Sequence, residues 1–542
     1  MDVERLMDSE KLMDSDKPIG MVAMKIENKF KPKMVDLIFA IFAFVLGYFF
    51  ARFVLFAWAG WGVTVFTFAY LASTTTYMII KKAFVRKIET FFWLLVVALT
   101  GISYTLWNNN GFNIERSLFL FASAIYYILV ATGTTLLKKT SNFIIIDAIN
   151  STLIFPLRNF FNQYVSFKAL SNREGKGNFL PIFIGVITTI FLAIIIIPLL
   201  ETADAGGFGM LLDVFRTTFT VDIGSSIAYL IVAVPVAAYI FGLISGSICK
   251  KGTDILTLEA SEKTVKVLRI IHPTTLNIVL GAVCVIYLVF IFSQLPYFFS
   301  AFTGRRPEGW LLYSEFARQG FFELVTIASI NLTILIICNI FSKKHRMESI
   351  MLKVFNIALA VITLVLIATA FSKMALYIAA YGLTMRRLTP CIFMIFLGLI
   401  FIALLALQKW NFSIVRFSLI TGAIIFVAMS IANPDAMVVR YNANRYLAGT
   451  LSHFDTEILF RSGPAGVRPA LDVLNYTENQ QLRNNLTQLL EQRVFIGNTD
   501  ITNHRVTVEC ARAESALNEA GIYFNISRPI PQPPTRNHHQ NP

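Results

Sequence analysis

Ionisable side chains stand directly before a long apolar run in residues 311–324, LLYSEFARQGFFEL, which continues as VTIASINLTILIICNIF. On a helix, Glu315 and Arg318 are three positions apart and can pair at a membrane interface. Glu323 lies deeper, where an unpaired carboxylate at mid-bilayer would cost about 2.5–3.5 kcal/mol. Asn331 is a further polar group in the same run. The pattern predicts either a polar pocket that opens to the outer face of a membrane or a clamp between helices.

A second polar group occurs in MALYIAAYGLTMRRL, where Arg386 and Arg387 follow a predicted helix end. Adjacent arginines at an outer surface can hold a lipid phosphate or a carboxylate, or they can act as interfacial anchors. We group both with the four residues above as one candidate polar pocket. Within this pocket we expect Glu323 to be protonated, hydrated or paired, with Arg318, Arg386 or Arg387 as the candidate partners.

The run GSSIAYLIVAVPVAAYIFGLISGSICK is the most unusual predicted helix, because Pro235 stands near its middle. Gly242 and Gly246 follow at the spacing that lets two membrane helices approach closely. A proline kinks such a helix where neighbouring groups satisfy the freed carbonyl. The pattern predicts either a kinked helix that lines a path for a substrate or tight packing at the centre of a bundle.

The elements that carry these residues are predicted from composition and apolar runs. The chain has 542 residues, of which 56% are hydrophobic and 15% charged, and its mean hydropathy is +0.63. Apolar runs of about 20 residues recur through the first 432 positions, as expected for membrane spans. We therefore predict an all-α polytopic membrane protein with about eleven spans. The predicted spans are 35–57, 62–80, 91–107, 118–137, 180–200, 223–248, 275–297, 321–341, 354–372, 390–408 and 414–432.

Basic residues in the short loops predict the orientation of these spans. With the N-terminus inside, segments predicted to face inward carry 25 Lys and Arg near the spans, and outward segments carry nine. This asymmetry is the positive-inside pattern of membrane proteins. An odd number of spans then places the C-terminal segment outside. This segment contains ten Arg and no Lys.

Residues 142–167 are the segment that could change this count. Their apolar stripe is interrupted by Asp147, Asn150 and Arg158, so we predict an amphipathic helix that lies along the inner surface. A twelfth span here would reverse the orientation of every later segment. The stripe consists of Ile145, Ile149, Leu153, Leu157, Phe160 and Tyr164.

The remaining organisation follows from the tails. We predict a cytoplasmic tail over 1–33, a transmembrane domain over 34–432, an exported domain of short helices over 433–527, and a disordered Pro-rich end over 528–542. In the exported domain, four leucines share one helix face: Leu482, Leu486, Leu489 and Leu490.

Several functional classes find no support in the sequence. The net charge of +14 is spread over loops rather than over one basic face, so we expect no nucleic-acid partner. None of the five cysteines is within four residues of another, and no catalytic, nucleotide or metal motif is present. We assign no catalytic residue, metal or cofactor. Membrane lipids, and a protein partner for the exported domain, are the expected partners.

The segments YSEFARQGFFELVTIASINL, MALYIAAYGLTMRRL and NPDAMVVRYNANRY resemble signatures of a bacterial family of multi-pass proteins. This family is known as domain of unknown function 4153, with 4173 as a close relative. The resemblance covers most of 130–475, and it departs after LFRSG, where PAGVRP stands in place of the family's DAVP. It implies a multi-pass protein of the bacterial cytoplasmic membrane, and it implies no activity.

Three functions stay open at this point. The favoured one is a non-enzymatic protein that moves or binds a small solute or lipid through an outward-facing polar pocket. The first alternative is a membrane sensor or scaffold whose exported domain binds a protein partner. The second alternative is a lipid-acting membrane enzyme that uses Glu323 or Asp204.

Overall fold

The computed structural model describes residues 30–56, 58–108, 110–171, 223–249, 258–259, 263, 267–303, 321–343, 349–491 and 505–522. These residues form helices and no strand, which confirms the predicted all-α fold. Eleven of the described helical segments are long and apolar enough to cross a membrane: Met34–Leu55, Trp61–Ile80, Ile88–Leu106, Asn113–Thr132, Ile144–Lys168, Ala228–Cys249, Pro273–Ser293, Phe322–Phe341, Ile350–Tyr381, Met385–Leu407 and Ile414–Ala432. The predicted number is confirmed, but its members differ, because Ile144–Lys168 qualifies and 180–200 lies outside the described residues.

The first bundle is built around a helix pair that runs antiparallel. Its helices are α1 (Met34–Phe49), α2 (Trp61–Ile80), α3 (Ile88–Leu106), α4 (Asn113–Thr132), the short α5 (Ile144–Ile149), α6 (Phe155–Arg158) and α7 (Asn162–Ser171), and α8 (Ile223–Cys249). A Cβ atom added at Gly47 of α1 would clash with the carbonyl oxygen of Ala233 of α8, and Phe39 lies 5.7 Å from Phe241 between ring centroids. Absence of a side chain at Gly47 is what allows this close approach.

The segment predicted to lie on the inner surface is a broken helix that enters this bundle. A π-helical turn over Asn150–Ile154 and a turn after Arg158 interrupt it. It starts beside Leu136, whose N–H donates to Asp147, and its middle reaches Tyr239, whose hydroxyl donates to the carbonyl of Thr152. Tyr239 is roughly 15 Å along α8 from its C-terminal end. The chain then returns to Ser245, closer to that end, where Asn162 donates to its hydroxyl.

The predicted apolar stripe of this segment is present and faces away from the bundle, since Ile145 is 72% exposed and Leu157 is 60% exposed. The polar face, however, is covered by other helices rather than by water. Asp147 and Asn159 are at most 1% exposed. Asp147 and Asn159 therefore point into protein, whereas Arg158 is exposed, and the position of this helix along the inner surface stays a prediction.

A second bundle contains α9 (Pro273–Thr303), α10 (Phe321–Phe341), α11 (Ile350–Tyr381) and α12 (Met385–Leu407). Its core includes Leu280, Leu359, Leu366 and Phe401, which are all fully buried. Helix α13 (Ile414–Ala432) packs against both α3 and α12. It therefore joins the two bundles.

The C-terminal domain comprises the described residues 433–491 and 505–522. Its helices are α14 (Pro434–Leu447), α15 (Glu457–Ser462), α16 (Val467–Tyr476), α17 (Gln480–Glu491) and α18 (Val508–Glu519). The four leucines predicted to share one face of α17 are buried, at 9% exposure or less, which confirms that prediction. The domain thus has a core of its own, in which Val439, Val473 and Leu517 are fully buried.

The C-terminal domain packs on one face of the membrane helices. Arg505 donates to the carbonyl of Phe56, Gly111 donates to Asp435, and Asn442 bonds the backbone of Leu383. These contacts place the ends of α1, α3 and α11 at the same face, as the predicted alternation of spans requires. We name this face the outer face; that it faces the outside of the cell stays a prediction.

Candidate functional site

Asn331, the deepest residue of the predicted pocket, is fully buried and holds three helices together. Its side-chain oxygen accepts from the Tyr287 hydroxyl at 2.7 Å, and its amide nitrogen donates to Thr363 Oγ1 at 2.9 Å. The three residues belong to α10, α9 and α11. Because these partners use its amide oxygen and nitrogen, this residue acts as the clamp that the sequence offered as one alternative.

Glu323 lies in the first turn of α10 and is exposed at the surface of the bundle. Among the described residues, Lys373 of α11 is the cation on which its charge acts. Arg387 instead donates to the carbonyls of Tyr381 and Gly382, and its guanidinium lies 4.0 Å from the ring centroid of Tyr377. Arg387 therefore caps the C-terminal end of α11.

The structure gives less information on the other three residues of the predicted pocket. Arg386 is exposed in the first turn of α12. Glu315 and Arg318 lie outside the described residues, so the six-residue pocket as a whole stays a prediction. In the described part, Asn331 and Arg387 have separate partners and form no common site.

The glycines of α8 pack tightly, as the second interpretation of that helix predicted. A Cβ atom at Gly242 would lie 2.5 Å from the carbonyl oxygen of Pro156, and one at Gly246 would lie 2.5 Å from Asn159 Nδ2. Pro235 stands inside a continuous helix and lines an apolar cavity of about 440 Å³. This cavity lies between α1, α2, α4 and α8, and the size and apolar lining suit a hydrocarbon chain.

A cleft of about 470 Å³ with four charged side chains in a largely apolar lining lies at the outer face, where the C-terminal domain meets α3 and α13. Trp107 forms its floor beside the end of α13, to which its indole N–H is bonded at the carbonyl of Ile431. Three exposed arginines line it, and each comes from a different helix of the domain: Arg440 of α14, Arg468 of α16 and Arg512 of α18.

Asn433 makes the connection between α13 and the cleft. It adopts a left-handed backbone conformation with φ of 53°, which asparagine tolerates better than most residues. Its side-chain oxygen caps α14 by accepting from the N–H of Ala436, and Pro434 occupies the first turn, as expected of a helix start. The amide nitrogen is left to donate to Glu509. No pattern in the sequence indicated the bond to Glu509.

Glu509 is the carboxylate of the cleft, and it is already engaged. It is 7% exposed, and its Oε2 accepts from the N–H of Asn108 at 3.1 Å. Burial raises the pKa of the Glu509 carboxyl above its ordinary value, while the bonds from Asn108 and Asn433 and the charges of Arg116 and Arg512 act to lower it. Because the Glu509 carboxylate is already hydrogen-bonded, the positive charges of the three cleft arginines exceed the negative charge of the cleft.

Arg116 lies beneath the cleft in the first turn of α4 and is fully buried. Its guanidinium donates to the carbonyls of Ser103, Trp107 and Asn108, and it stacks 3.8 Å from the ring centroid of Tyr104. Such a buried cation needs negative charge nearby. Asp435 and Glu509 supply it.

The cleft and its base together hold four arginines against two carboxylates. A planar guanidinium binds carboxylate and phosphate groups through two parallel hydrogen bonds, so the arrangement suits an anion. Within the described residues, no group of His, Cys, Asp and Glu could hold a metal ion. The cleft also contains no paired nucleophile and base.

A family model called domain of unknown function (DUF4153) matches residues 94–473, well over half of the chain. The chain belongs to the DUF4153 family. This confirms the resemblance seen in the sequence. No curated protein and no solved structure matches. The DUF4153 match contains Asn433, Arg440 and Arg468, whereas Glu509 and Arg512 come from the chain that follows it.

Sequence reasoning did not find the three cleft arginines. Arg440 and Arg512 are more than seventy positions apart, and only tertiary packing brings them to one cleft. One signal was available, because the C-terminal segment contains ten Arg and no Lys. Arginine is preferred over lysine where planar anions are held.

Proposed function

We propose that this DUF4153 protein resides in the bacterial cytoplasmic membrane and binds a small anionic ligand in the outer cleft. The observation that carries the proposal is the convergence of Arg440, Arg468 and Arg512 on one cleft, whose carboxylate, Glu509, is bonded to Asn433 and Asn108. The ligand carries a carboxylate or a phosphate. This proposal keeps the favoured function from the sequence and moves its site from α10 to the C-terminal domain.

Two sources can supply such a group: a free anion from outside and the headgroup of a lipid. The cleft borders the ends of α3 and α13, where headgroups of an outer leaflet would lie. It is open to solvent, so attraction between its arginines and an anion weakens as salt concentration rises. A lipid would add apolar contacts, which salt does not screen.

The first test is native mass spectrometry of the full-length protein purified in detergent, followed by calorimetric titration with inorganic phosphate. We expect either a co-purified phospholipid or saturable phosphate binding in the wild type. Either signal should fall at least tenfold in the double variant Arg468→Gln, Arg512→Gln. A lipid that survives high salt indicates the headgroup, and phosphate binding that high salt abolishes indicates the free anion.

Arg483→Gln is the matched control, because Arg483 is an exposed arginine of α17 that does not line the cleft. An equal loss in Arg483→Gln and in the double variant would indicate nonspecific attraction to a basic domain. Absence of both lipid and phosphate binding in the wild type would refute the proposal.

A sensor function is supported by a separate observation, namely that the C-terminal domain is hydrogen-bonded to the last turns of α11 and to the loop between α11 and α12. Arg445 donates to the carbonyls of Ile378 and Ala379, and Asn442 bonds the backbone of Leu383 on both sides. A ligand that moves the domain would therefore change this loop. We expect altered hydrogen exchange over 378–388 when phosphate binds, and unchanged exchange would argue against sensing. A stoichiometric protein in the mass spectrum would instead indicate the predicted protein partner.

A further inference from the structure

The buried polar face of the broken helix holds oxygen atoms that lack donors. Among the described residues, three such atoms lie in this part of the bundle and have no hydrogen-bond partner: Thr135 Oγ1, Asp147 Oδ2 and Asn150 Oδ1. Their residues are 3%, 0% and 2% exposed. Leaving one buried acceptor unsatisfied costs about 1–3 kcal/mol, so three together need an explanation.

One hydrogen bond and the helical spacing bring the residues of these three oxygens into the same part of the bundle. Asp147 Oδ1 accepts from the N–H of Leu136 at 2.9 Å, which sets the carboxylate beside Thr135, the preceding residue. Asn150 follows Asp147 by three positions in a helical segment and so shares its face. All three lie just beyond the C-terminal end of α4, at the face opposite the C-terminal domain.

The charge of Asp147 is not offset by the ionisable groups around it. Glu89 and Arg416 are charged groups of the same region, since both act on Tyr126 together with Asp147. Arg416 pairs with Glu89 at 3.3 Å, and Glu89 also accepts from the backbone N–H of Thr140 at 2.8 Å. That pair neutralises itself. Asp147 thus leaves one negative charge in a region closed to solvent.

We propose that Thr135, Asp147 and Asn150 form a binding site for a dehydrated monovalent cation such as Na⁺. One carboxylate and two neutral oxygens match a single positive charge, and hard cations prefer oxygen ligands. A cation would satisfy all three oxygens at once, whereas a proton on Asp147 would satisfy one. A buried charge is stable when it is paired or coordinates a metal ion. A divalent ion would require more carboxylates than the one found here.

The test measures thermal unfolding of the purified full-length protein in NaCl, KCl and choline chloride at equal ionic strength. A ligand that binds only the folded state stabilises it by an amount that increases with the logarithm of its concentration once the concentration exceeds Kd. We expect the melting temperature to rise in this way with Na⁺ or K⁺ and not with choline. Asp147→Asn should abolish this rise, and the exposed Asp455→Asn should keep it.

Thr135→Val guards against a variant that fails to fold, because it changes shape little and removes one oxygen. We expect it to shift the Na⁺ titration to at least tenfold higher concentration, and radioactive Na⁺ binding should show the same shift. Identical melting in all three salts would overturn the proposal. So would a cation response that persists unchanged in Asp147→Asn, or stabilisation that follows pH and ignores the cation, which would indicate a proton.

Discussion

Substitution of Gly242 by alanine tests the packing that positions the broken helix. The added Cβ would lie 2.5 Å from the carbonyl oxygen of Pro156 and 3.2 Å from the carbonyl carbon of Asn159. Both atoms are backbone, so no side chain can rotate away, and α8 must separate from its neighbour by roughly 1 Å to reach ordinary contact distances of about 3.5 Å.

The expected magnitude follows from two opposing effects. Inserting a methyl group into a well-packed core costs about 1–3 kcal/mol. Alanine in place of glycine regains about 0.5–1 kcal/mol of helix stability. The net loss for Gly242→Ala is therefore up to about 2.5 kcal/mol with a midpoint of about 1.3 kcal/mol, and that midpoint corresponds to a roughly eightfold increase in the unfolding equilibrium constant.

Gly398→Ala supplies the matched control, because a Cβ atom at this helical position of α12 meets no atom within 4 Å. It should be neutral or stabilising by up to about 1 kcal/mol. The assay is equilibrium unfolding of both variants in mixed micelles, followed by tyrosine and tryptophan fluorescence. If Gly242→Ala proves as stable as Gly398→Ala, α8 does not pack against Pro156, and the route assigned to the broken helix is refuted.

Three further predictions address the polar groups. Asn331→Leu removes two interhelical hydrogen bonds, each worth about 0.6 kcal/mol in a membrane; we expect a loss of about 1 kcal/mol in unfolding free energy with unchanged anion binding, and lost binding would return Asn331 to a pocket. Because the folded pKa of Glu509 is raised above the ordinary 4.5, stability should fall as pH rises from that value through the folded pKa, and Glu509→Gln should flatten this part of a melting-temperature profile; an unchanged profile would contradict the burial. For Glu89 and Arg416, a double-mutant cycle with glutamine should give a coupling of about 0.5–1 kcal/mol, since Arg416 is half exposed; zero coupling would mean that the ion pair contributes nothing.

Spans were predictable because membrane insertion depends on local hydropathy, which a run of residues carries by itself. The predicted span 414–432 has the bounds of α13, and 321–341 has those of α10. The bounds of the span predicted over 354–372 were less accurate, since α11 extends to Tyr381. The predicted run ended at polar residues such as Lys373. The helix itself continues through Tyr381 and stops at Gly382, which has a positive φ of 78°.

The broken helix shows where sequence reasoning stopped. A stripe at helical spacing reveals that two faces differ, and it does not reveal what covers each face. An amphipathic helix on a membrane surface turns its apolar stripe to lipid. A helix of a bundle whose polar face packs against other helices does the same. They differ only in whether Asp147 and Asn159 meet water or protein. That depends on α8, whose Gly242 makes room for the segment about eighty positions earlier in the chain.

The same limit applies to the candidate site. Glutamate and arginine near an apolar run predicted a polar pocket because a charge there is costly in lipid. In the structure, Glu323 lies at the surface of its bundle. The cleft arginines, in contrast, occupy a polar domain in which a charged residue is ordinary. These arginines form a candidate site only because the fold brings them together. The clearest long-range contact in the cleft is made by Glu509, which accepts a hydrogen bond from the N–H of Asn108 across 401 positions. No local pattern could have indicated that contact.

Helix α4 runs between the proposed anion cleft and the proposed cation site. Arg116, in its first turn, supports the outer cleft, and Thr135 and Leu136 follow directly after its last turn at the opposite face. Between them, every residue from Ile125 to Thr132 is buried, so the helix is held on all sides in its second half. A helix of this length spans roughly 30 Å and moves as a unit more easily than it bends. A displacement of Arg116 by a ligand in the cleft would therefore reach Asp147 through α4.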